Sequence, residues 1–211
     1  LALVLSAALI SAVSLWSDTF VAAGFYSDVC DESKDHRRLN ETAVSSQNSS
    51  DSCLKQYVGV VTSVIGGNVY GVQCASFFTE FFNRHGGYGC VVAGSCFLVL
   101  GWIGILSLQQ ASQSPQLQFL THNYLQLCSM SASIGTNLLC EATYSFMTPT
   151  NGLQGLLLVL SSGGVGGGAL ETFGLKYFAY KLGWGPQGMI VSQVFLAVTS
   201  VILCLYCVPS E

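Results

Sequence analysis

The sequence predicts an all-α fold, a polytopic membrane protein of six transmembrane helices, on three observations. Apolar runs of the roughly 20 residues that a helix needs to cross a hydrocarbon slab recur along the chain. Only 9% of the 211 residues are charged and mean hydropathy is +0.53, whereas ordinary soluble domains carry about 25% charge. The breaks between runs are short and rich in Gly, Pro, Asn and Ser. The runs are continuous and lack the period-two alternation of membrane strands, so helices fit and a barrel does not.

The first span runs from Leu1 to about Phe25, with Asp18 near its outer end. The chain opens inside an apolar run, without Met, as a piece of something longer would. A signal peptide is the competing reading of this start, but it lacks a positive leading region and a clear small-residue cleavage site. A wet, charged loop follows from Tyr26 to Gln56. The second span covers Tyr57 to Phe82 and ends in the polar turn Asn83-Arg84-His85-Gly86-Gly87. The third covers Tyr88 to Leu108, and a Gln- and Ser-rich loop with Pro115 leads to the fourth, Phe119 to Met147. Pro149 and Gly152 break it. The fifth runs from Leu153 to Tyr180, and the turn Lys181 to Gln187 precedes a sixth from Gly188 to Cys207.

The long loop sets the orientation. It holds two N-glycosylation sequons, at Asn40 and Asn48, and the cysteines Cys30 and Cys53. A disulfide between them would close a loop of about 23 residues and remove unfolded-state entropy worth roughly 3 kcal/mol. Both features belong to the luminal or extracellular side. Lys34, Arg37, Arg38 and Lys55 in the same loop argue the other way, because cytoplasmic loops are usually the basic ones. The covalent chemistry carries more weight. The turn at Arg84 and the break at Thr148 to Gly152 then face the cytoplasm.

Several function classes are excluded. The net charge of -4 and the absence of a basic stripe leave nothing for nucleic acid to bind. Three scattered His, with no nucleophile motif, phosphate-cradling loop or metal-ligand spacing, make no enzyme, cofactor site or metal site. The cysteines in or near the spans read as small packing residues; Cys204 and Cys207 at the inner face are candidate palmitoylation sites.

Polar residues inside the spans carry the sharpest functional signal, because a carboxylate at mid-membrane costs about 2.5 to 3.5 kcal/mol on insertion scales. Glu141 lies in the fourth span and is read either as a coupling or recognition group or as one end of a buried structural bond. Glu171 in the fifth span lies nearer the outer interface; its distance from Lys176 misses helical i,i+4 spacing, so both are expected to find partners on other helices. Asn137, Glu141 and Tyr144 share one helix face. With Asn68, Tyr70 and Gln73 of the second span and Gln126 of the fourth, they line a candidate cavity or supply interhelical hydrogen bonds. His122 reads as an interfacial residue. Glu80 and Arg84, at i,i+4, form a surface pair or a cytoplasmic gate. Gly163, Gly164, Gly167 and Gly168 make two small-xxx-small pairs, a packing face that also lets a helix slide.

The later spans resemble a known family. Tyr124-Leu125-Gln126, then Glu141, Tyr144 and Pro149, then Leu153-Gln154-Gly155-Leu156-Leu157, the run Gly163 to Gly168, and Phe173-Gly174 are similar to the carboxyl-terminal half of major facilitator superfamily transporters. The nearest pattern is the branch of major facilitator superfamily domain-containing protein six, related to sugar:proton symporters. The resemblance implies that the six spans are the seventh to twelfth helices of a twelve-helix carrier whose amino-terminal half is a partner. The function expected is secondary active transport of a small organic solute by alternating access, coupled to protons through Glu141, in the plasma membrane or an endomembrane. The alternative is a membrane-anchored surface protein whose glycosylated, disulfide-closed loop binds a partner.

Overall fold

The computed structural model describes residues 13–27, 29, 48–112, 118–147, 170 and 172–207. These residues are all helix and turn. α1 is Val13–Ala22, α2 Asn48–Gln73, α3 Ala75–Ser112, α4 Gln118–Met147, α5 residues 172–181 and α6 Gly185–Cys207. α4 is the hub, packed along α3 on one side and α2 on the other; α1 lies against α2, and α6 against α3. Among the described residues, two segments are long and apolar enough to cross a membrane, Phe77–Ser112 and Gly185–Leu203.

The helices alternate in direction, and their ends explain why. α1 stops at Gly24, whose φ of 91° is open to glycine at no steric cost. The Phe25 amide donates to the Phe20 carbonyl and the Gly24 amide to that of Val21, each at 3.0 Å. This is a Schellman cap, completed by Phe25 packing on Phe20 with ring centroids 5.2 Å apart. Buried Gln56 of α2 donates from Nε2 to the Phe25 carbonyl at 2.7 Å, and Ser112 at the end of α3 reaches the Ala23 carbonyl at 3.4 Å. One end of the molecule therefore gathers the finish of α1 and α3 and the start of α2. α5 ends in the same way: Trp184 donates to the Ala179 carbonyl at 2.8 Å and Gly183 to that of Tyr180 at 3.2 Å, with Gly183 at φ 73°. α6 then starts at Gly185–Pro186, proline suiting a first helical turn where its missing amide has no bond to make.

The core centres on Trp16, Phe20, Trp102, Leu98, Ile105 and Leu125, all essentially solvent-free. Trp16 stacks on Trp102 at 4.8 Å between centroids, joining α1 to α3.

Three boundaries differ from the sequence reading. α2 begins at Asn48, so residues 48–56 of the expected loop are helical; Asn-Ser-Ser-Asp-Ser reads as loop, but such residues also suit a helix start. The expected second span does not run through to Phe82, since α2 ends at Gln73 and a new helix starts at Ala75 after a turn at Cys74. The expected turn at Asn83 to Gly87 is a break inside α3 at Gly86 alone, with φ 69° and ψ −176°. Asn40, Cys30 and the run Gly163 to Gly168 lie outside the described residues, as do the side chains of Asn48 and Cys53.

Candidate functional site

Backbones touch along both sides of α4. Toward α3, a β-carbon placed on Gly101 would sit 2.6 Å from the Ala132 nitrogen, and one on Gly94 2.9 Å from the Gly135 carbonyl oxygen. Gly135 in turn faces the backbone of Leu98, and Gly104 faces Cys128. Toward α2, a β-carbon on Gly67 would sit 2.6 Å from the Gln126 carbonyl oxygen and 2.7 Å from Cβ of Ser129, and Gly71 faces Ser133. The numbering rises together along α2 and α4 and oppositely along α3 and α4, so α4 is parallel to the first and antiparallel to the second. The seams are possible because small residues recur at helical spacing: Gly67 with Gly71, Gly94 with Gly101, and Ser129 with Ser133.

The α2–α4 seam is polar and incompletely bonded. Asn68 is buried, and neither its Nδ2 nor its Oδ1 has a hydrogen-bond partner; the same is true of the fully buried Ser129 Oγ. The side-chain bond that crosses the seam from Ser133 Oγ to the Asn68 carbonyl is long, at 3.4 Å. Gln126, half-buried, extends its amide along the Gly66 backbone. Unpartnered buried polar groups cost about 1–3 kcal/mol each, so such a seam suits ordered water or a hydrogen-bonding solute.

The other sequence candidates spread out from this seam. Asn137 donates from Nδ2 to the Ser133 carbonyl of its own helix at 2.9 Å. Since Gly71 meets Ser133 and α2 ends at Gln73, Asn137 and Glu141 lie beyond the end of α2. Glu141 is half-buried, its carboxyl within electrostatic reach of Cys90, one turn past the Gly86 break in α3, and of its neighbour Cys140. Gln73 and Tyr70 are exposed. Tyr144 belongs to α4, but its side chain, like those of His122 and Cys207, is outside the described set, and Glu171 is outside it altogether. Glu80 and Arg84 form an exposed ion pair on α3. No group of three or more His, Cys, Asp or Glu able to hold a metal is found among the described residues.

Some residues that matter were not singled out by the sequence reading. Lys176 of α5 pairs with Asp18 of α1 at 3.2 Å. This is a cross-helix bond of the kind expected for Lys176, but the partner was not foreseen. Asp18 and Lys176, opposite charges standing in separate apolar runs, are the signal for it. The seam glycines obey the same small-residue spacing that drew attention to Gly163 to Gly168, and Ser129 and Ser133 carried no signal beyond their spacing.

Comparison with protein-family models, with curated proteins and with solved structures returns no match.

Proposed function

We propose that the chain is a polytopic membrane bundle forming one half of a secondary active transporter, and that it moves a small polar solute by alternating access. The support begins with the way its faces are turned. On α6, Val191, Phe195, Val198, Ile202 and Leu205 are exposed along one side while Gln193 and Ser200 are buried. On α2, Leu54, Val58, Ile65 and Val69 face out while Ser63, Gly67 and Asn68 face in. Water would favour the reverse, and a lipid surround favours this one. Tyr124, Tyr177, Tyr180 and Trp184 are exposed near one end and Tyr88 and Tyr206 near the other, as in the aromatic belts of membrane interfaces. α2 and α4 belong to the proposed six-span arrangement although polar seam residues dilute their hydropathy.

The observation that carries transport is the buried, unpartnered Asn68 and Ser129 beneath that apolar surface. Hydrogen-bonding capacity left open in a lipid-embedded seam is the chemistry a carrier needs to replace a solute's hydration shell. Glu141, half-buried at the far end of α4, is the proton-coupling candidate. The resemblance of residues 124–174 to the major facilitator superfamily supplies the architecture, an amino-terminal six-helix partner with a solute path between the halves, and the sequons at Asn40 and Asn48 with Cys30 and Cys53 supply the reading of a glycosylated, disulfide-closed luminal loop.

The test is solute-driven proton entry into vesicles carrying the full-length protein and an entrapped pH dye, scanned over neutral and weakly acidic small polar solutes. At least one solute is expected to acidify the lumen, and Glu141→Gln is expected to abolish the acidification while leaving expression and helicity intact. A protein that moves none of them, while its residue 30–53 segment captures a partner, is an anchor and not a carrier.

A further inference from the structure

A charged pair stands in an apolar part of the bundle. Lys176 Nζ of α5 is 3.2 Å from Asp18 Oδ2 of α1, and the two side chains are 27% and 53% exposed. Asp18 is six residues short of Gly24, where α1 stops, so it lies about 9 Å in from that end. Packing fixes its height more closely. Trp16, half a turn before Asp18, stacks on Trp102, and Trp102 stands in sequence between Gly101 and Gly104, which face Ala132 and Cys128 of α4. Ser129, in the same stretch of α4, faces Gly67 of α2. The ion pair and the unpartnered Asn68 and Ser129 are therefore within about two turns of one another in height.

The side of α1 that carries Asp18 is unlike the outer sides of its neighbours. α1 exposes Asp18 and Ala22 and, among its described residues, no large apolar side chain, whereas α2 and α6 expose Val58, Ile65, Val69, Phe195 and Ile202. On α5, Lys176 is one turn from buried Thr172 and buried Ala179, on the side turned to the bundle, while exposed Tyr177 and Phe178 lie on other sides. Acyl chains suit the outer sides of α2 and α6, but an ion pair at membrane depth has to front water or a polar partner. Two charges that satisfy each other without being sealed in are also free to exchange partners.

Given the carrier reading above, on which it rests, we infer that the Asp18–Lys176 pair is the charged part of the solute site and that the solute is a zwitterion, a small α-amino acid. On binding, the solute's ammonium takes the place of Lys176 at the Asp18 carboxylate, and its carboxylate takes the place of Asp18 at the Lys176 ammonium. Two ion pairs then stand where one stood, and the solute adds no net charge to the site. A singly charged solute would strand one member of the pair away from water, which is costly. A neutral one would have to break the pair with no charge to offer in return. The uncharged Asn68 and Ser129 at that height serve the rest of the solute.

The test is uptake of radiolabelled solutes into vesicles carrying the full-length protein, driven by an inward proton gradient and read against protein-free vesicles. The solutes are glycine, alanine, leucine and glutamine as zwitterions, methanesulfonate as an anion, tetramethylammonium as a cation and erythritol as a neutral polyol. At least one amino acid is expected to enter roughly tenfold or more faster than each of the other three. Methanesulfonate, tetramethylammonium or erythritol entering as fast as the amino acids, or instead of them, overturns the inference and leaves the carrier reading standing; uptake of nothing overturns both. Asp18→Asn/Lys176→Gln separates recognition from bracing, because removing both charges strands neither. That double variant is expected to keep wild-type expression and helicity and to lose about tenfold or more of its amino-acid uptake. Full uptake would show that the pair only ties α1 to α5, and the inference would fall. Should the double variant not fold, the exchange Asp18→Lys/Lys176→Asp keeps the pair and reverses it: lost uptake at normal expression is expected, and wild-type uptake overturns the inference.

Discussion

α4 uses the same device on two sides to opposite ends. Toward α3, small residues let the backbones meet, and Ser131 Oγ of α4 donates to the Phe97 carbonyl at 2.8 Å. Leu98, Leu138 and Leu139 fill the rest. Toward α2, small residues bring the backbones equally close, but Asn68 and Ser129 stay unbonded inside. Close approach by itself is therefore not glue. On the proposed membrane reading, the α3 side gains dispersion and a side-chain bond, while the α2 side keeps hydrogen-bonding capacity in reserve. On the proposed function the first stays shut and the second opens.

The largest way to break this comparison is on the shut side. Gly135→Leu would drive a side chain into the Leu98 backbone and the Gly94 carbonyl, with no flexible neighbour to give way. A loss of about 3 kcal/mol is expected, at the upper end of overpacking costs, read as a lower unfolding midpoint in SDS titration of the micelle-embedded protein. Survival of that variant at wild-type stability would mean that α3 and α4 separate readily and that the two sides do not differ.

On the open side the sign reverses. Asn68→Leu replaces two unpartnered amide atoms with methyl groups on the same branched skeleton, and stability is expected to rise by about 1 kcal/mol in the same titration. Solute-driven proton entry is expected to fall to background. Stability and transport moving in opposite directions is the outcome that a purely structural asparagine would not give, since removing a bonded one lowers stability.

Helicity, the extent of α4 and the turn after α5 were legible in the sequence because each has a local cause: long apolar runs, Pro and Gly at the breaks, and glycine at the capping positions of α1 and α5. The start of α2 was not, because Asn48 to Ser52 have the composition of a loop, and the turn at Cys74 follows from no residue with a turn preference. Asn68 and Gln126 were both marked as polar residues in apolar runs, yet only the packing of Gly67 against Gln126 puts them on one seam. Glu141 reads in sequence as deep within its span. Its level in the bundle depends on where α2 stops, which is a tertiary fact. The Asp18–Lys176 pair has the same character, joining residues 158 positions apart through a register that no local pattern fixes.

The smallest test sets neighbours against each other. Cys128 and Ser129 are adjacent, yet one faces Gly104 of α3 and the other Gly67 of α2. Ser129→Cys exchanges an unpartnered buried hydroxyl for a thiol, which tolerates apolar surroundings far better, so a gain of about 0.5 kcal/mol is expected. Cys128→Ser moves a hydroxyl to the α3 side, where it can bond back to a carbonyl one turn earlier on its own helix at the expense of packing on Gly104. A loss of about 0.5 kcal/mol is expected there. If the seams are as different as their bonding indicates, the two single changes have opposite signs and the double exchange lies near wild type. Equal signs would mean that hydroxyls are tolerated alike on both sides of α4, and the capacity held by Ser129 would then be no reserve at all.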